Sequence, residues 1–251
     1  MQRFHIPYFE KQEFFIIEDK NIFHQLVKVL RIKEWKKVIF FDWKIQKDYI
    51  YEIIEINKKT IKTYFIEEID KETELEFELN LFQALPNKLE KIEYILQKWV
   101  EVWIKNFVFY RSERSQKLII SNKKFDRLYK ILLEAVEQCW RNIIPSFKLE
   151  AEDYKWKFLS NFEWDEYMKV WKNAIFLHTE DKESKNLQDY ISSIVWNIEK
   201  QDIYIWPEWW FSEEEISYFE RNNFSRIHLW NRILRTETAW IVVWFTLWQM
   251  L

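Results

Sequence analysis

Apolar and polar positions follow two different rhythms along these 251 residues. Up to about residue 72 the apolar runs are short and rich in β-branched or aromatic side chains, at 13–17, 37–41 and 60–66. Runs of that kind predict strands. One stretch breaks the pattern. Between about residues 21 and 31, Ile22, Leu26, Val29 and Leu30 recur at helical spacing and predict a helix with all four on one face. This first part therefore predicts a small β-barrel carrying one helix. The charged run from Glu67 to Glu76 reads as a solvated connector or as a strand edge.

From Leu79 onward strands and helices alternate. A strand at 79–85 leads through Pro86 into a helix with Ile92, Ile95, Leu96 and Val102 at helical spacing. A strand at 106–110 precedes a helix whose apolar face carries Phe125, Leu128, Leu132, Ala135, Val136 and Cys139. Further strands are predicted at 174–178, 202–205 and 226–229, and Ser212-Glu213-Glu214-Glu215 has the form of a capping box opening a helix. Alternation of this kind predicts a mostly parallel sheet covered on both faces. Two domains are expected, 1–72 and 73–251.

Composition narrows the function. The net charge of −3 provides no overall basic field, so a nucleic-acid site would have to be a local patch. A single cysteine, Cys139, allows neither a disulfide nor a thiolate metal cluster within the chain and fits a reducing cytosol; it reads as core. Residues 1–9 carry Arg3 and His5 but no long apolar run, against a signal peptide, and the longest apolar stretch, 240–248, is too short to span a bilayer. A cytoplasmic protein with no metal and no membrane partner is expected.

One feature of the composition is abnormal: there are 16 tryptophans and no glycine. Ordinary usage would put roughly 17 glycines in this length. Placement points to an exchange. Trp35 lies between two apolar runs, Trp43 follows Asp42 as glycine does in a hairpin turn, and Trp103 and Trp140 follow helix-periodic segments, where glycine with φ > 0 is usual. A Cβ penalises that conformation. We read the gene as using UGA for glycine, in keeping with an AT-rich genome suggested by heavy use of Lys, Ile, Phe and Asn. The alternative is a tryptophan-rich protein that binds aromatic ligands.

Three loops follow predicted strands near the C-terminus: after 175–178, at 205–212, and at 229–239. With glycine restored the second reads I-G-P-E-G-G-F-S and the third L-G-N-R-I-L-R-T-E-T-A. Loops at the carboxyl ends of neighbouring parallel strands are where open α/β sheets bind ligands, and glycines let the backbone come close and offer N–H donors.

These blocks closely resemble the ribosomal RNA small subunit methyltransferase E family, the uridine-N3 methyltransferases of the knotted SPOUT class. The resemblance includes Arg3-Phe4-His5-Ile6-Pro7, His24-Gln25-Leu26-Val27-Lys28-Val29-Leu30-Arg31, Gln97-Lys98-Trp99-Val100-Glu101-Val102-Trp103, Ser112-Glu113-Arg114-Ser115 and Glu134-Ala135-Val136-Glu137-Gln138-Cys139-Trp140-Arg141-Asn142. It implies an α/β protein with an N-terminal PUA-like β-barrel that helps hold RNA and a C-terminal SPOUT domain with a trefoil knot. It further implies a homodimer acting on 16S rRNA in the small ribosomal subunit. S-adenosyl-L-methionine (SAM) would be bound by Leu177, His178, Ile205, Trp206, Pro207, Glu208, Trp209, Trp210, Leu229, Trp230, Ile233, Leu234, Thr236 and Thr238. Trp206, Trp209, Trp210 and Trp230 stand where the family has glycine, and four literal indoles would fill such a pocket.

Uracil N3 carries a proton at neutral pH, so an enzyme must help remove it and align N3 with the methyl group. Arg235 would stabilise the uracilate or orient the base, and Glu237 would accept the proton or fix the loop; alternatively both only brace the knot. Glu208 reads as a loop organiser. Arg3, Lys28, Arg31, Arg111, Arg114, Arg141 and Arg232 are candidates for phosphate contacts. His24 and His178 are weighed as RNA or SAM contacts, with His24 reading rather as a packed structural residue. Two other functions stay open: a SPOUT methyltransferase acting on another RNA, and a non-catalytic RNA-binding module if the loop tryptophans are real.

Overall fold

A computed structural model describes residues 1–42, 45–70, 74–149, 173–178, 184–194, 199–229 and 234–248, without the side chains of Ile45, Gln46 and Glu237. The chain divides into two compact units, one made of 1–74 with 133–144 and the other of 75–132 with 145–251. The first holds five strands, β1 (Gln2–His5), β2 (Phe14–Ile17), β3 (Lys37–Asp42), β4 (Ile45–Ile56) and β5 (Ile61–Asp70), in the order β1-β3-β4-β5-β2. Among the described residues of this sheet, β1 with β3 is the one parallel pair. The expected barrel is thus an open half-barrel with β1 and β2 as its edges. Its long strands bend at register shifts between Ile50 and Tyr51 and between Ile53 and Glu55, since a bulge kinks and twists the strand that carries it.

The concave core is aromatic. Phe9 lies with ring centroids 5.1 Å from Phe15, 5.6 Å from Phe40 and 5.8 Å from Tyr51, and Leu26 is buried with them. β5 runs to Asp70, so the first part of the charged run is a strand edge.

The predicted helix begins as α1 (Lys20–His24), capped by Asp19, which accepts from the N–H groups of Asn21 and Ile22. It continues as a π-helical turn at Gln25–Val29, where Leu30 N–H donates to the Gln25 carbonyl. The wider turn shifts the helical phase. Leu26 stays buried, while Val29 and Leu30, expected on the same face, are exposed, and so is His24, expected to be packed.

The second unit carries a seven-stranded sheet, all parallel, in the order β10-β12-β9-β11-β6-β7-β8. Its strands are β6 (Glu78–Ala84), β7 (Ile104–Tyr110), β8 (Ser146–Leu149), β9 (Ala174–His178), β10 (Lys185–Asn186), β11 (Lys200–Ile205) and β12 (Ser225–His228). The helices are α2 (Leu89–Trp99), α3 (Asn122–Cys139), α4 (Leu187–Ser193), α5 (Glu213–Arg221) and α6 (Thr236–Trp248). Ser212 caps α5 in the predicted reciprocal box with Glu215. Ile92, Ile95 and Leu96 of α2 are core, whereas Cys139, expected in the core, is partly exposed at the end of α3.

β6, β9 and β11 are buried along nearly their whole length, as strands covered on both faces must be. Phe82 and Tyr204 stack flat between β6 and β11, with centroids 4.3 Å apart. A polar row also crosses the sheet. Ser146 donates to Asn106, Asn106 to Asn80, and Asn80 to Asp202, each pair in direct register. Each member gives the next a partner that a buried polar group needs.

Candidate active site

From β6 the chain steps outward to β7 and β8, crosses to the other side with β9, reaches the far edge with β10, fills the gap next to β6 with β11 and inserts β12 between β10 and β9. The carboxyl ends of β12, β9 and β11 are therefore neighbours beside the point where the strand order reverses, the usual place for a ligand in an open α/β sheet. The three loops singled out from sequence leave from these three ends.

The second loop is the most completely held. Glu215 accepts from the backbone N–H of Ser212 at 2.8 Å and of Glu113 at 3.0 Å, so one buried carboxylate joins it to the turn after β7. In that turn Ser112 N–H donates to the Ser115 hydroxyl and Ser115 N–H to the Ser112 carbonyl. The Trp209 carbonyl accepts from the Arg114 guanidinium at 3.2 Å, and Glu208 pairs with Lys91 of α2. Gln83, buried at the end of β6, donates to the Trp206 carbonyl at 3.4 Å. Trp210 N–H closes a turn onto the Pro207 carbonyl at 3.1 Å. Sequence reading missed Gln83 and Lys91, because neither sits in a motif and each acts on a loop more than a hundred residues away.

Leu177, Ile205, Trp206 and Pro207 are buried, Glu208 and Trp210 half-buried and Trp209 exposed. His178 ends β9, its ring 6.4 Å from that of Trp210. In the third loop Leu229 and Leu234 are half-buried. Arg235 is exposed, its carbonyl accepting the N–H groups of Thr238 and Ala239 at the start of α6. Thr236 is half-buried and Thr238 exposed. Trp230, Arg232 and Ile233 lie outside the described residues, as does the Glu237 side chain.

The loop backbone has the form of a cofactor cradle, but its side chains do not fit one. The rings of Trp206 and Trp210 pack 4.7 Å apart, and Trp210 reaches toward His178, so indoles occupy the ends of β9 and β11. With the Trp206 and Trp210 rings packed there, this loop does not fit SAM; Trp209 is exposed.

Residues 73–248 match the family described as the RNA methyltransferase domain. The chain is 32% identical over 235 residues to the ribosomal RNA small subunit methyltransferase E of Buchnera aphidicola subsp. Acyrthosiphon pisum, covering 92% of this chain and 85% of that protein. This chain belongs to the ribosomal RNA small subunit methyltransferase E family. A relative of the same name from Mesomycoplasma hyopneumoniae is 30% identical, with 95% of each chain covered. The solved methyltransferase E of Neisseria gonorrhoeae, bound to SAM, has the same fold, with a TM-score of 0.81 at 22% identity over 100% of this chain and 98% of that one. A Legionella pneumophila protein solved with SAM as bound cofactor matches with a TM-score of 0.79 at 25% identity, covering 99% of this chain and 97% of that one.

Within this family fold the basic residues picked from sequence fall into two groups. Lys28, Arg31 and Arg114 are exposed and Arg111 is half-buried. Arg3 and Arg141 are buried. Arg3 donates to Asp48 at 2.9 Å, to the carbonyls of Val136 and Arg141, and to Asn142, and its guanidinium lies 3.6 Å over the Phe41 ring. Arg141 forms a two-point pair with Glu74. Burial lowers the Arg3 pKa, and Asp48 pulls it back up. Arg3 and Arg141 thus join residues 133–144 to residues 1–74 within the first unit, with their donors turned inward.

Proposed function

We propose that this chain, with glycine in its loops, transfers the methyl group of SAM to N3 of a uridine in 16S rRNA of the small ribosomal subunit. The observation that carries this reading is the set of three loops leaving adjacent carboxyl ends of β12, β9 and β11, in a chain whose relatives are named for small-subunit rRNA methylation. SAM supplies the methyl group; the Legionella pneumophila neighbour holds this cofactor. The residues proposed to line it are those named above in the three loops.

The chain's own work is positioning and proton handling. Arg235, exposed at the start of α6, would stabilise negative charge on the uracil ring, and Glu237 would accept the N3 proton. Lys28, Arg31, Arg111, Arg114 and Arg232 would meet RNA phosphates, and the half-barrel, expected at 1–72, would help hold the RNA. The trefoil knot of 73–251 belongs to the same reading. So does a homodimer, supported by Ile241 and Phe245, which α6 leaves about half exposed one turn apart. No described helix is long and apolar enough to cross a membrane, and the substrate would place the enzyme in the cytoplasm.

The test is methylation of small subunits from a strain lacking the modification. Digested rRNA is analysed for 3-methyluridine after incubation with SAM and the protein bearing glycine at Trp206, Trp209, Trp210 and Trp230. The modified base should appear only with enzyme. Folded, SAM-binding protein that leaves it absent would redirect the reading to another RNA. Absence of SAM binding as well would leave the non-catalytic module, the reading that the packed Trp206 and Trp210 rings favour if they are native.

A further inference from the structure

Seven residues of the described chain have φ in the left-handed region, and four of them are tryptophan: Trp35 at 66°, Trp103 at 62°, Trp140 at 67° and Trp210 at 63°. The other three are Tyr8, Arg31 and Asn223. Only a few per cent of non-glycine residues adopt this region, and for a bulky side chain it is an outlier. Here it is taken by four of the ten described tryptophans.

Each of the four sits at a chain reversal. Trp35 is the second residue of the turn before β3 and donates its N–H to the Ile53 carbonyl at 2.7 Å. Trp103 closes the turn after α2, Trp140 directly follows α3, and Trp210 ends the turn Pro207–Trp210. The Asn223 turn after α5 is the internal control. There the same positive φ of 61°, in a cap where Phe224 N–H donates to the Phe219 carbonyl at 2.9 Å, falls on asparagine, the side chain that tolerates it best after glycine.

A second observation is independent of the backbone. Trp99 of α2 and Trp240 of α6 are almost wholly buried, with ring centroids 5.0 Å apart. Neither indole N–H has a hydrogen-bond partner among the described residues. A tryptophan selected for a core normally finds an acceptor for that group.

We propose that the native residue at Trp35, Trp103, Trp140 and Trp210 is glycine, encoded by UGA codons that the cell reads as glycine, and that the cofactor loop is open only in this form. The inference stands on backbone geometry and does not depend on the reaction. It bears on the misfit of the loop at one of its positions: at Trp210 the backbone already has the glycine conformation, and its side chain packs against the Trp206 ring.

The first experiment is peptide mass spectrometry of the protein purified from its own cells, with the gene's codons read alongside. Peptides should carry glycine at the four positions, and UGA should stand there. Tryptophan in those peptides, or UGG in those codons, overturns the proposal. The second uses the tryptophan chain made in a host that inserts tryptophan, comparing Trp→Gly with Trp→Ala at each position. Both remove the indole, but only glycine removes the Cβ. Glycine should melt above alanine by about 2–4 °C at each site. Alanine equal to or above glycine at all four would overturn the backbone argument. Glycine variants that gain this stability, carry glycine at Trp206, Trp209 and Trp230 as well, and yet do not bind SAM would uphold the inference while sinking the proposed reaction.

Discussion

The carboxylate of Glu215 accepts the backbone N–H of Glu113 at 3.0 Å, across 102 residues of sequence. Its other oxygen takes the N–H of Ser212 and completes the cap of α5. One side chain thus ends a loop, starts a helix and fixes a second loop. Removing it leaves the buried Ser212 N–H without its acceptor, at about 1–3 kcal/mol, while the N–H of exposed Glu113 can turn to water. Glu215→Ala should therefore lower the melting temperature by about 2–4 °C for every kcal/mol lost. SAM affinity of the glycine-bearing protein, measured by titration calorimetry, should fall with it. An unchanged affinity would show that the 112–115 turn does not support the cofactor loop.

Arg3 and Lys28 should behave in opposite ways. Arg3→Met leaves Asp48 buried without its cation, a loss of about 3–5 kcal/mol, visible as a lower urea midpoint. Lys28→Ala should leave stability within about 0.5 kcal/mol and reduce the salt dependence of RNA binding by about one phosphate contact. Binding measured over a range of salt concentrations separates the two; an unchanged slope would remove Lys28 from the RNA face.

Stability should depend on pH through His5. Burial lowers its imidazole pKa, against a smaller opposing effect of Asp42. As pH falls through the ordinary value of 6.5 the unfolded chain takes up the proton first, so stability declines there and below. Asp202 and Glu137 act with the opposite sign. Burial raises both, so their contribution is present in acid and is lost as pH climbs above 3.8 and 4.5 through the folded values. His5→Phe keeps a ring against Phe41 and should flatten the decline just below pH 6.5 in urea titrations. A profile identical to the parent chain would assign the decline to another group.

Arg235 and Glu237 should matter for turnover more than for cofactor binding. Arg235→Ala and Glu237→Gln are each expected to lower kcat by about 10²–10⁴-fold. SAM affinity should change little. Loss of SAM binding with unchanged kcat at saturation would make them loop braces instead.

The exposed stretch of α6 gives a test of assembly. Phe245→Glu places a charge on the apolar surface beside Ile241 and should convert a dimer to a monomer in light scattering, with the melting temperature of the remaining chain little changed. A monomeric parent protein would end the homodimer proposal.

Much of the sheet was legible because parallel strands buried on both faces write apolar runs, as at Ala174–Leu177 and Ile203–Ile205, although β11 opens on the buried polar residues Gln201 and Asp202. β4 escaped notice because its polar and apolar residues follow no simple alternation through two register shifts. Ser146–Leu149 escaped because Ser-Phe-Lys-Leu has only two apolar residues and a half-buried, alternating pattern at the sheet edge. The capping box of α5 was readable since both partners lie within one turn of chain. The π-helical turn was not, because spacing alone cannot distinguish a wider turn from a regular one, and it moved Val29 and Leu30 out of the core.

By itself the sequence determined the local features: strand and helix periods, the cap at Ser212, the family blocks, and the positions where glycine is wanted at Trp35, Trp103 and Trp140. These are written in neighbouring residues, whose steric and hydrogen-bonding preferences act over a few bonds. Only the tertiary structure decided that β12, β9 and β11 stand side by side, that Gln83, Lys91 and Glu215 hold one loop, and that Arg3 and Arg141 face inward. Strand order and ion-pair partners depend on which distant segments share a core, and a charged side chain carries the same letter whether it meets a carboxylate inside or a phosphate outside.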